Sequence, residues 1–380
     1  MSRGFRWTVA LAGSCLALLL IGEGAARLAH RLGRYQPKVT TEEYIRPNPY
    51  LYQVLRPGSY TRGGTARIEV NSLGFRGPEF SPRKPPGVYR IFVVGGSTTF
   101  GYPQSIPRTE DTYPFKLQAA LQSRLGTSAI EVINAGVIGY TLRTSLVNFA
   151  TRLTWYDPDL VIVYHAVNDA IAIRNEDDLF RAVAQADSGH TLWESVRDQS
   201  FLLLEASFQI FRFFHHPAAR GTRPGDEPLP ATLAAYERNL RSLAVLARAQ
   251  GVDVIIGNES VAVPAACEGG RVVSEEDRAL RPIEGRVCFL MQWYFPHLTP
   301  VGLKRTFEAL ATIQQQVARD HELAWVDMNR VVPRTAEYYW DLCHTRPPAT
   351  TLIAEAFADR VAPLIRARAA GAGRPAAGGG

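Results

Sequence analysis

Beyond residue 88 the chain alternates short apolar runs with amphipathic segments, and this alternation constrains the fold more than any other feature. The apolar runs are rich in Val and Ile and lack polar alternation, which is typical of strands buried on both faces of a sheet. They cover residues 89–94, 130–134, 160–164, 252–257 and 323–326. Amphipathic patterns over 114–125, 142–155, 231–250, 300–321 and 347–367 predict helices. Together they predict an α/β protein with a five-stranded parallel sheet covered on both sides.

The composition agrees with a globular protein that has a sizeable core. Of the 380 residues, 46% are apolar and 21% are charged, which excludes full disorder, a collagen and a disulfide scaffold. A polytopic membrane protein is excluded because the sequence contains only one long uncharged apolar stretch. The net charge of +6 comes without a dense Lys/Arg block, so no nucleic-acid partner is predicted.

That apolar stretch runs from Trp7 to Gly22, within an N-terminal segment over 1–36. As a helix it rises about 24 Å, slightly less than a hydrocarbon core of about 30 Å. We predict a single hydrophobic helix that is retained as a membrane anchor. The alternatives are a signal peptide cleaved before Arg27 and a buried N-terminal helix. Positive charges lie on both sides of the stretch, so they do not decide its orientation.

The rest of the chain divides into one domain and less regular segments. Residues 89–367 form the predicted α/β domain, preceded by a polar, Pro- and Gly-rich lead-in over 37–88 that we expect to pack on it. An insertion over 174–230 contains a strongly aromatic part, 193–214, which we expect to pack against the domain; a lid and a membrane-facing helix are alternatives. The tail over 368–380 is expected to be disordered because it consists almost entirely of Ala, Gly and Pro.

Small and polar residues follow the first three predicted strands, at the edge where parallel sheets bind ligands. The first strand runs into Gly95-Gly96-Ser97, and two glycines before a serine allow a tight turn that exposes the hydroxyl. A glycine-containing segment follows the second strand, and Asn168 follows the third. N–H donors from three strand tips could surround one oxygen, as acyl-transfer chemistry requires. Asp169 is expected to brace its loop.

A carboxylate and an imidazole follow the last predicted strand as Asp341 and His344. They are three positions apart, so one turn of the chain can bring them together. The carboxylate can then fix the imidazole tautomer that accepts a proton from Ser97. His297 is the rival base, but it precedes the fifth strand and has no Asp three residues upstream. His165 is expected to be structural.

Cys267 and Cys288 bracket a polar, Gly-rich stretch that we predict to be a loop. A disulfide between them would suit an oxidising compartment, and two unpaired thiols are the alternative.

Together these segments resemble the SGNH, or GDSL-like, hydrolase superfamily over roughly residues 89–367, with its blocks in the expected order. The turn Gly95-Gly96-Ser97 resembles the nucleophile block, with Gly96 where many members carry Asp. Gly139 matches the glycine of the second block.

The remaining two blocks match in the same way. Asn168 matches the Asn of the G-x-N-D block, in which Ala166 replaces the glycine, and Asp341 and His344 match the D-x-x-H block. The resemblance implies a flavodoxin-like three-layer α/β/α fold, the SGNH hydrolase fold.

The resemblance also implies a serine esterase or acyltransferase that needs no metal and no cofactor. Ser97 is the implied nucleophile, His344 its base and Asp341 the residue that orients the base. The Ser97 N–H, the Gly139 N–H and the Asn168 amide are the implied oxyanion-hole donors.

Similar proteins with this nucleophile turn and an N-terminal hydrophobic helix are often bacterial and envelope-associated. This implies an extracytoplasmic catalytic domain, periplasmic or extracellular, that is membrane-anchored or else secreted after signal cleavage. The envelope favours an O-acylated, for example acetylated, carbohydrate as the substrate. A lipid ester or thioester is the alternative, and a non-catalytic glycan-binding or assembly protein on the same fold is a second alternative.

Overall fold

The structure is a computed structural model that describes residues 3–31, 44–48, 50–62, 66–172, 224–264, 267 and 275–372. The predicted aromatic part of the insertion, 193–214, lies outside the described residues, and so does the predicted disordered tail from residue 373.

Five of the described strands form one parallel sheet. The strands are β1 (Ile45–Asn48), β2 (Tyr52–Leu55), β3 (Gly58–Arg62), β4 (Ala66–Val70), β5 (Tyr89–Gly95), β6 (Ile130–Asn134), β7 (Leu160–His165), β8 (Asp253–Asn258) and β9 (Ala324–Val326). The sheet has the order β6-β5-β7-β8-β9. Every residue of β5 and β7 is buried, as expected for unbroken apolar strands covered on both faces. The predicted parallel sheet is confirmed.

Helices cover the sheet in two layers. They are α1 (Arg3–Arg31), α2 (Ser97–Phe100), α3 (Tyr113–Leu125), α4 (Leu142–Thr151), α5 (Val167–Ala172), α6 (Pro230–Ala249), α7 (Glu275–Leu280), α8 (Glu284–Tyr294), α9 (Pro300–Asp320), α10 (Met328–Val331) and α11 (Pro347–Ala372). Helix α3 packs against α11, while α6 packs against both α4 and α9. This is the predicted three-layer α/β/α fold. Helix α11 extends beyond the predicted end at 367, because the Ala-rich composition continues and alanine favours helix.

The strand order determines where a site can form. The chain first adds β6 on one side of β5 and then crosses to add β7 on the other. At such a reversal the loops after neighbouring strands diverge and leave a crevice at the carboxyl edge of the sheet. The tip of β5, which leads into Ser97, lies at this crevice.

The lead-in contains strands that the sequence analysis did not predict. β1 pairs with β2 and β3 pairs with β4, each as a short antiparallel hairpin. Their polar and Pro-containing sequences lack the apolar runs by which buried strands are recognised. Lead-in side chains form a second core cluster with three residues of the sheet edge: Tyr44, Leu51, Leu55, Ile68, Val70, Phe100, Val137 and Tyr140. The hairpins therefore pack beside the nucleophile turn.

Helix α1 lies where the hydrophobic N-terminal helix was predicted. The four apolar side chains over 18–21 are exposed. Glu23 and Arg27 pair with each other at 2.7 Å directly after them, so charge interrupts the apolar face. Among the helices of the described residues, none is both long enough and apolar enough to cross a membrane. The predicted anchor gains no support from this finding.

The prediction of a loop between Cys267 and Cys288 is wrong for the second half of this segment, which contains α7 and the start of α8. Only a few apolar side chains, among them Val287 and Met291, face the core here, so the spacing of apolar residues gives only a weak helical pattern in the sequence. The structure joins the two cysteines in a disulfide bond.

Candidate active site

Ser97 is the first residue of the short helix α2 and lies two residues after Gly95, the last residue of β5. A Cβ atom on Gly95 would lie 1.9 Å from Thr99 Oγ1, and a Cβ atom on Gly96 would lie 2.4 Å from Asn168 Nδ2. A side chain at residue 95 would overlap Thr99 and the backbone of Tyr164, whereas a side chain at residue 96 would have to displace the Asn168 amide. Glycine at both positions lets the turn and this amide lie where they do.

A continuous chain of hydrogen bonds links the serine hydroxyl to a buried carboxylate. Ser97 Oγ lies 2.8 Å from His344 Nε2, and His344 Nδ1 lies 2.7 Å from Asp341 Oδ2. Asp341 Oδ1 accepts the backbone N–H groups of Cys343 at 3.0 Å and His344 at 2.9 Å. In this arrangement the hydroxyl can pass its proton to Nε2 while the carboxylate holds Nδ1–H.

The environment of Asp341 favours its ionised form. Burial by itself raises the pKa of this carboxyl, but the interaction with a protonated His344 and the hydrogen bonds from His344 and Cys343 outweigh burial. The pKa of Asp341 is therefore lowered from its ordinary value. An ionised carboxylate only accepts hydrogen bonds, which matches the three N–H groups that face Asp341.

The second strand tip is held by the lead-in. Gly139 has φ of 78°, in the left-handed region that favours glycine. The Gln53 side-chain amide donates to Ile138 O, and Tyr140 Oη donates to Gln53 O at 2.7 Å. Asn168 Nδ2 in turn donates to Tyr140 O at 2.9 Å. Strand β2 thus fixes the turn around Gly139, and this turn orients the Asn168 amide beside Gly96.

Two further histidines considered in the sequence analysis, His297 and His165, have different surroundings from His344. His297 O accepts a hydrogen bond from Gly225 N at 3.0 Å, next to the start of α9. His165 is fully buried, and its Nε2 lies 2.8 Å from Ser145 Oγ. Burial lowers the pKa of His165 to about 3, so this ring stays neutral near pH 7.

The Asp169 side chain is buried and hydrogen-bonds to the start of α4. Both of its carboxylate oxygens accept the Leu142 N–H at 3.0 Å, which joins the third strand tip to the start of α4. Burial raises the pKa of Asp169 to about 8. The expected loop at Asp169 is instead the start of α5, and the side chain ties α5 to the start of α4.

Three residues near the site were missed by the sequence analysis. Glu259 follows β8 and contacts the neighbours of Ser97 and Asn168. Tyr102 stacks on the His344 ring with ring centroids 4.1 Å apart and an interplanar angle of 21°. The only signal for Tyr102 in the sequence is its position a few residues after Ser97. Glu259 could have been identified as a candidate from the sequence, because it lies just after a predicted strand.

Arg76 is the third missed residue, and it connects the lead-in to helix α2. Its side chain is 1% exposed. The guanidinium donates to Phe100 O at 3.1 Å, to Gly101 O and to Ile106 O at 3.2 Å. Burial lowers the pKa of Arg76 to about 10, which leaves the group charged at neutral pH. A buried cation thus satisfies carbonyl groups at the end of the nucleophile helix.

One group of side chains within the described residues has the composition of a metal site, namely Asp341, Cys343 and His344. The carboxylate and imidazole atoms that would bind a cation are hydrogen-bonded to each other. The Cys343 thiol is fully buried, and burial raises its pKa, which opposes the thiolate form that binds metals. The two hydrogen bonds of His344 thus place Asp341 and His344 in the chain that begins at Ser97, and no metal site is proposed here.

A parallel α/β/α fold with chemistry at its first three strand tips and after its last strand defines the SGNH class of hydrolases. Comparison with protein-family models gives a match over residues 93–351 to the GDSL-like lipase/acylhydrolase family. The chain belongs to this family, and it is an ester hydrolase of the SGNH type. A search of curated proteins found no match.

Several solved structures are similar to this chain. A catalytic mutant of Axe2, an acetylxylan esterase from Geobacillus stearothermophilus, has 16% identity and a TM-score of 0.41 over 73% of this chain and 96% of that chain. A lipase/acylhydrolase from Enterococcus faecalis has 16% identity and a TM-score of 0.41 over 73% and 97% of the two chains. LAE5, an α/β hydrolase from the metagenome of Lake Arreo, has 15% identity and a TM-score of 0.40 over 72% and 96%. At this level of similarity their substrates say nothing about this chain.

Proposed function

We propose that this protein is a serine esterase or acyltransferase that forms an acyl-enzyme on Ser97. The hydrogen-bonded chain from Ser97 through His344 to Asp341, with distances of 2.8 Å and 2.7 Å, carries the proposal. Ser97 Oγ attacks the ester carbonyl carbon as its proton moves to His344 Nε2. Asp341 holds the imidazole in the required tautomer and stabilises the imidazolium that forms.

The same imidazolium completes both halves of the reaction. His344 gives its proton to the departing alcohol oxygen, and the acyl group remains on Ser97. A water or an acceptor hydroxyl then attacks the acyl carbonyl and gives its proton to His344, which restores the Ser97 hydroxyl. Hydrolysis and transfer differ only in this acceptor. No step requires a metal or a cofactor.

Three donors are proposed to stabilise the negative oxygen of the tetrahedral intermediate: the Ser97 N–H, the Gly139 N–H and the Asn168 amide. Asn168 is supported by its position over Gly96, and Gly139 by the turn that hydrogen-bonds to Asn168. Removing one such donor typically lowers kcat by about 10²–10³-fold.

Labelling of the serine tests the chemistry. A fluorophosphonate probe is expected to label the wild-type protein and the His297→Ala variant equally, and to leave Ser97→Ala unlabelled. Labelling of Ser97→Ala at the wild-type level would falsify the assignment of the nucleophile. If Ser97 is labelled but no ester is turned over, the protein is instead a binding or assembly protein on the hydrolase fold.

For the substrate we propose an O-acylated carbohydrate of the cell envelope, with acetyl as the acyl group. A lipid ester or thioester was suggested by the aromatic insertion, whose aromatic part lies outside the described residues. Turnover of p-nitrophenyl acetate and of long-chain p-nitrophenyl esters distinguishes the two. A preference for acyl chains of about eight carbons or more would reject the acetylated carbohydrate.

We also propose that the catalytic domain lies outside the cytoplasm, with α1 as an anchor or as a signal peptide that is removed. The pairing of Cys267 with Cys288 supports this location, because disulfides persist in oxidising compartments. Alkaline phosphatase fused after Gly64 is expected to be active, and green fluorescent protein fused there to be dark. The reverse pattern would place the domain in the cytoplasm.

A further inference from the structure

Glu259 is a buried carboxylate at the carboxyl edge of the sheet, directly after β8. Its side chain is not part of the hydrogen-bonded chain that begins at Ser97, and 6% of the residue is exposed. Carboxylates are rarely buried unless several polar groups compensate them. Its partners therefore indicate why it is there.

The two carboxylate oxygens bind two different strand tips. Oε1 accepts the Thr98 hydroxyl hydrogen at 2.7 Å. Oε2 accepts two backbone N–H groups, from Ala166 at 2.9 Å and from Val167 at 2.8 Å. Hydrogen bonds to an ionised group are stronger than those between neutral groups. A single side chain thus clamps the tip of β5 to the tip of β7.

Both arms of this clamp end next to a proposed catalytic group. Thr98 directly follows Ser97, and Val167 directly precedes Asn168. Ala166, which stands where similar proteins have glycine, takes part through its backbone N–H and therefore tolerates a side chain. Glu259 therefore links the segment of the nucleophile to the segment of the Asn168 donor, in addition to the hydrogen bond from Asn168 Nδ2 to Tyr140 O.

The pKa of Glu259 is raised from its ordinary value, because burial outweighs the opposing effects. The hydrogen bonds from Val167, Thr98 and Ala166 lower the pKa, as does a protonated His344. All three hydrogen-bond partners act as donors, which is the arrangement that the ionised carboxylate needs.

We propose that Glu259 is a positioning residue that holds the Asn168 amide at the correct distance and orientation relative to Ser97. This inference rests on the proposed function, since it assumes that Ser97 and Asn168 act on the same carbonyl group. It assigns to β8 a direct effect on the oxyanion hole, although no residue of β8 touches the substrate in the proposed mechanism.

Substitutions at Glu259 separate hydrogen bonding from charge. Glu259→Ala removes both arms, and we expect kcat on p-nitrophenyl acetate to fall about 10²-fold, with KM changed less than about threefold, because the oxyanion forms only after binding. Glu259→Gln can still accept the two N–H groups and donate its amide to the Thr98 oxygen. We expect this variant to recover kcat to within about tenfold of the wild type.

A double-mutant cycle with Asn168→Ala distinguishes positioning from general destabilisation. If Glu259 acts through Asn168, the double variant loses at most about threefold more kcat than Asn168→Ala alone, because residues that act as a unit are non-additive. Independent losses that multiply in full would overturn the proposal, as would wild-type kcat in Glu259→Ala. All rates are expressed per fluorophosphonate-labelled site, so misfolded protein is not counted.

Thr98 gives a second route if Glu259→Ala does not fold. Thr98→Val removes one arm and keeps the side-chain shape, whereas Thr98→Ser keeps the hydroxyl. We expect Thr98→Val to lower kcat at least about tenfold and Thr98→Ser to stay near the wild type. Equal kcat in the two variants would reject the clamp. Failure of the Ser97 labelling test would instead reject the proposed function itself, so the two failures are distinguishable.

Discussion

The Asn168 amide occupies the space in which a side chain at residue 96 would lie. Gly96→Ala should therefore displace this amide, and we expect kcat on p-nitrophenyl acetate to fall by about 10²–10³-fold, the usual effect of losing one oxyanion donor. Gly285→Ala is the matched control, since no atom lies within 4 Å of a Cβ there. Wild-type kcat in Gly96→Ala would contradict the tight packing of the Asn168 amide.

A second prediction at the scale of single residues concerns Tyr102, which stacks on the His344 ring with centroids 4.1 Å apart. An aromatic face attracts the charged imidazolium by about 0.5–2 kcal/mol more than an aliphatic side chain does. We expect Tyr102→Leu to lower kcat/KM about 2- to 30-fold. Tyr102→Phe keeps the ring and should behave as the wild type. Equal kcat/KM in Tyr102→Leu and Tyr102→Phe would show that the stacking has no electrostatic role.

At the scale of elements, the short helix α2 depends on Arg76 in the lead-in. The planar guanidinium donates to two backbone carbonyl groups at the end of the helix and to a third, Ile106 O, in the segment that follows. A lysine has no such fork and can satisfy fewer of them. We expect Arg76→Lys to lower the free energy of unfolding by about 3 kcal/mol and to lower kcat, measured by urea unfolding and by ester turnover.

The control for Arg76 is Arg83→Lys, at an exposed position of the same lead-in. It should change neither stability nor turnover. If Arg76→Lys unfolds at the wild-type urea concentration, the lead-in does not support α2 through this contact.

At the scale of the whole molecule, Asp169 makes the stability depend on pH. Its pKa is about 8 in the folded protein, because burial disfavours the charge, against about 3.9 in an unfolded chain. The unfolded state releases this proton first as the pH rises. The contribution of Asp169 to stability is therefore fully present below about pH 4 and is lost as the pH rises through about 8.

Asp169→Asn does not titrate, and its amide oxygen can still accept the Leu142 N–H. We expect its free energy of unfolding, relative to the wild type, to be higher at pH 8 than at pH 5 in urea titrations. Glu337→Gln, an exposed control, should show no such difference. A constant difference for Asp169→Asn at the two pH values would mean that Asp169 is already ionised at pH 5.

The sequence by itself determined the sheet, the covering helices and the edge where the chemistry lies. Unbroken apolar runs such as that of β7 reflect burial on both faces, and this signal needs no knowledge of distant contacts. Asp341 and His344 could be paired because only one turn separates them. The pairing of Ser97 with His344 joins residues 247 positions apart. It was predicted because both residues follow strands of the same sheet, and the family resemblance implied the same pairing.

Only the tertiary structure decided the contacts that hold these groups in place. Glu259 reaches Thr98 across 161 positions and Gln53 reaches Ile138 across 85. The position of Glu259 after a strand marks it as a candidate, but no local pattern shows which distant residue either side chain contacts. The lead-in hairpins and α8 were not predicted for a related reason. These segments are short or polar, and they are stabilised mainly by packing against parts of the chain that are distant in sequence.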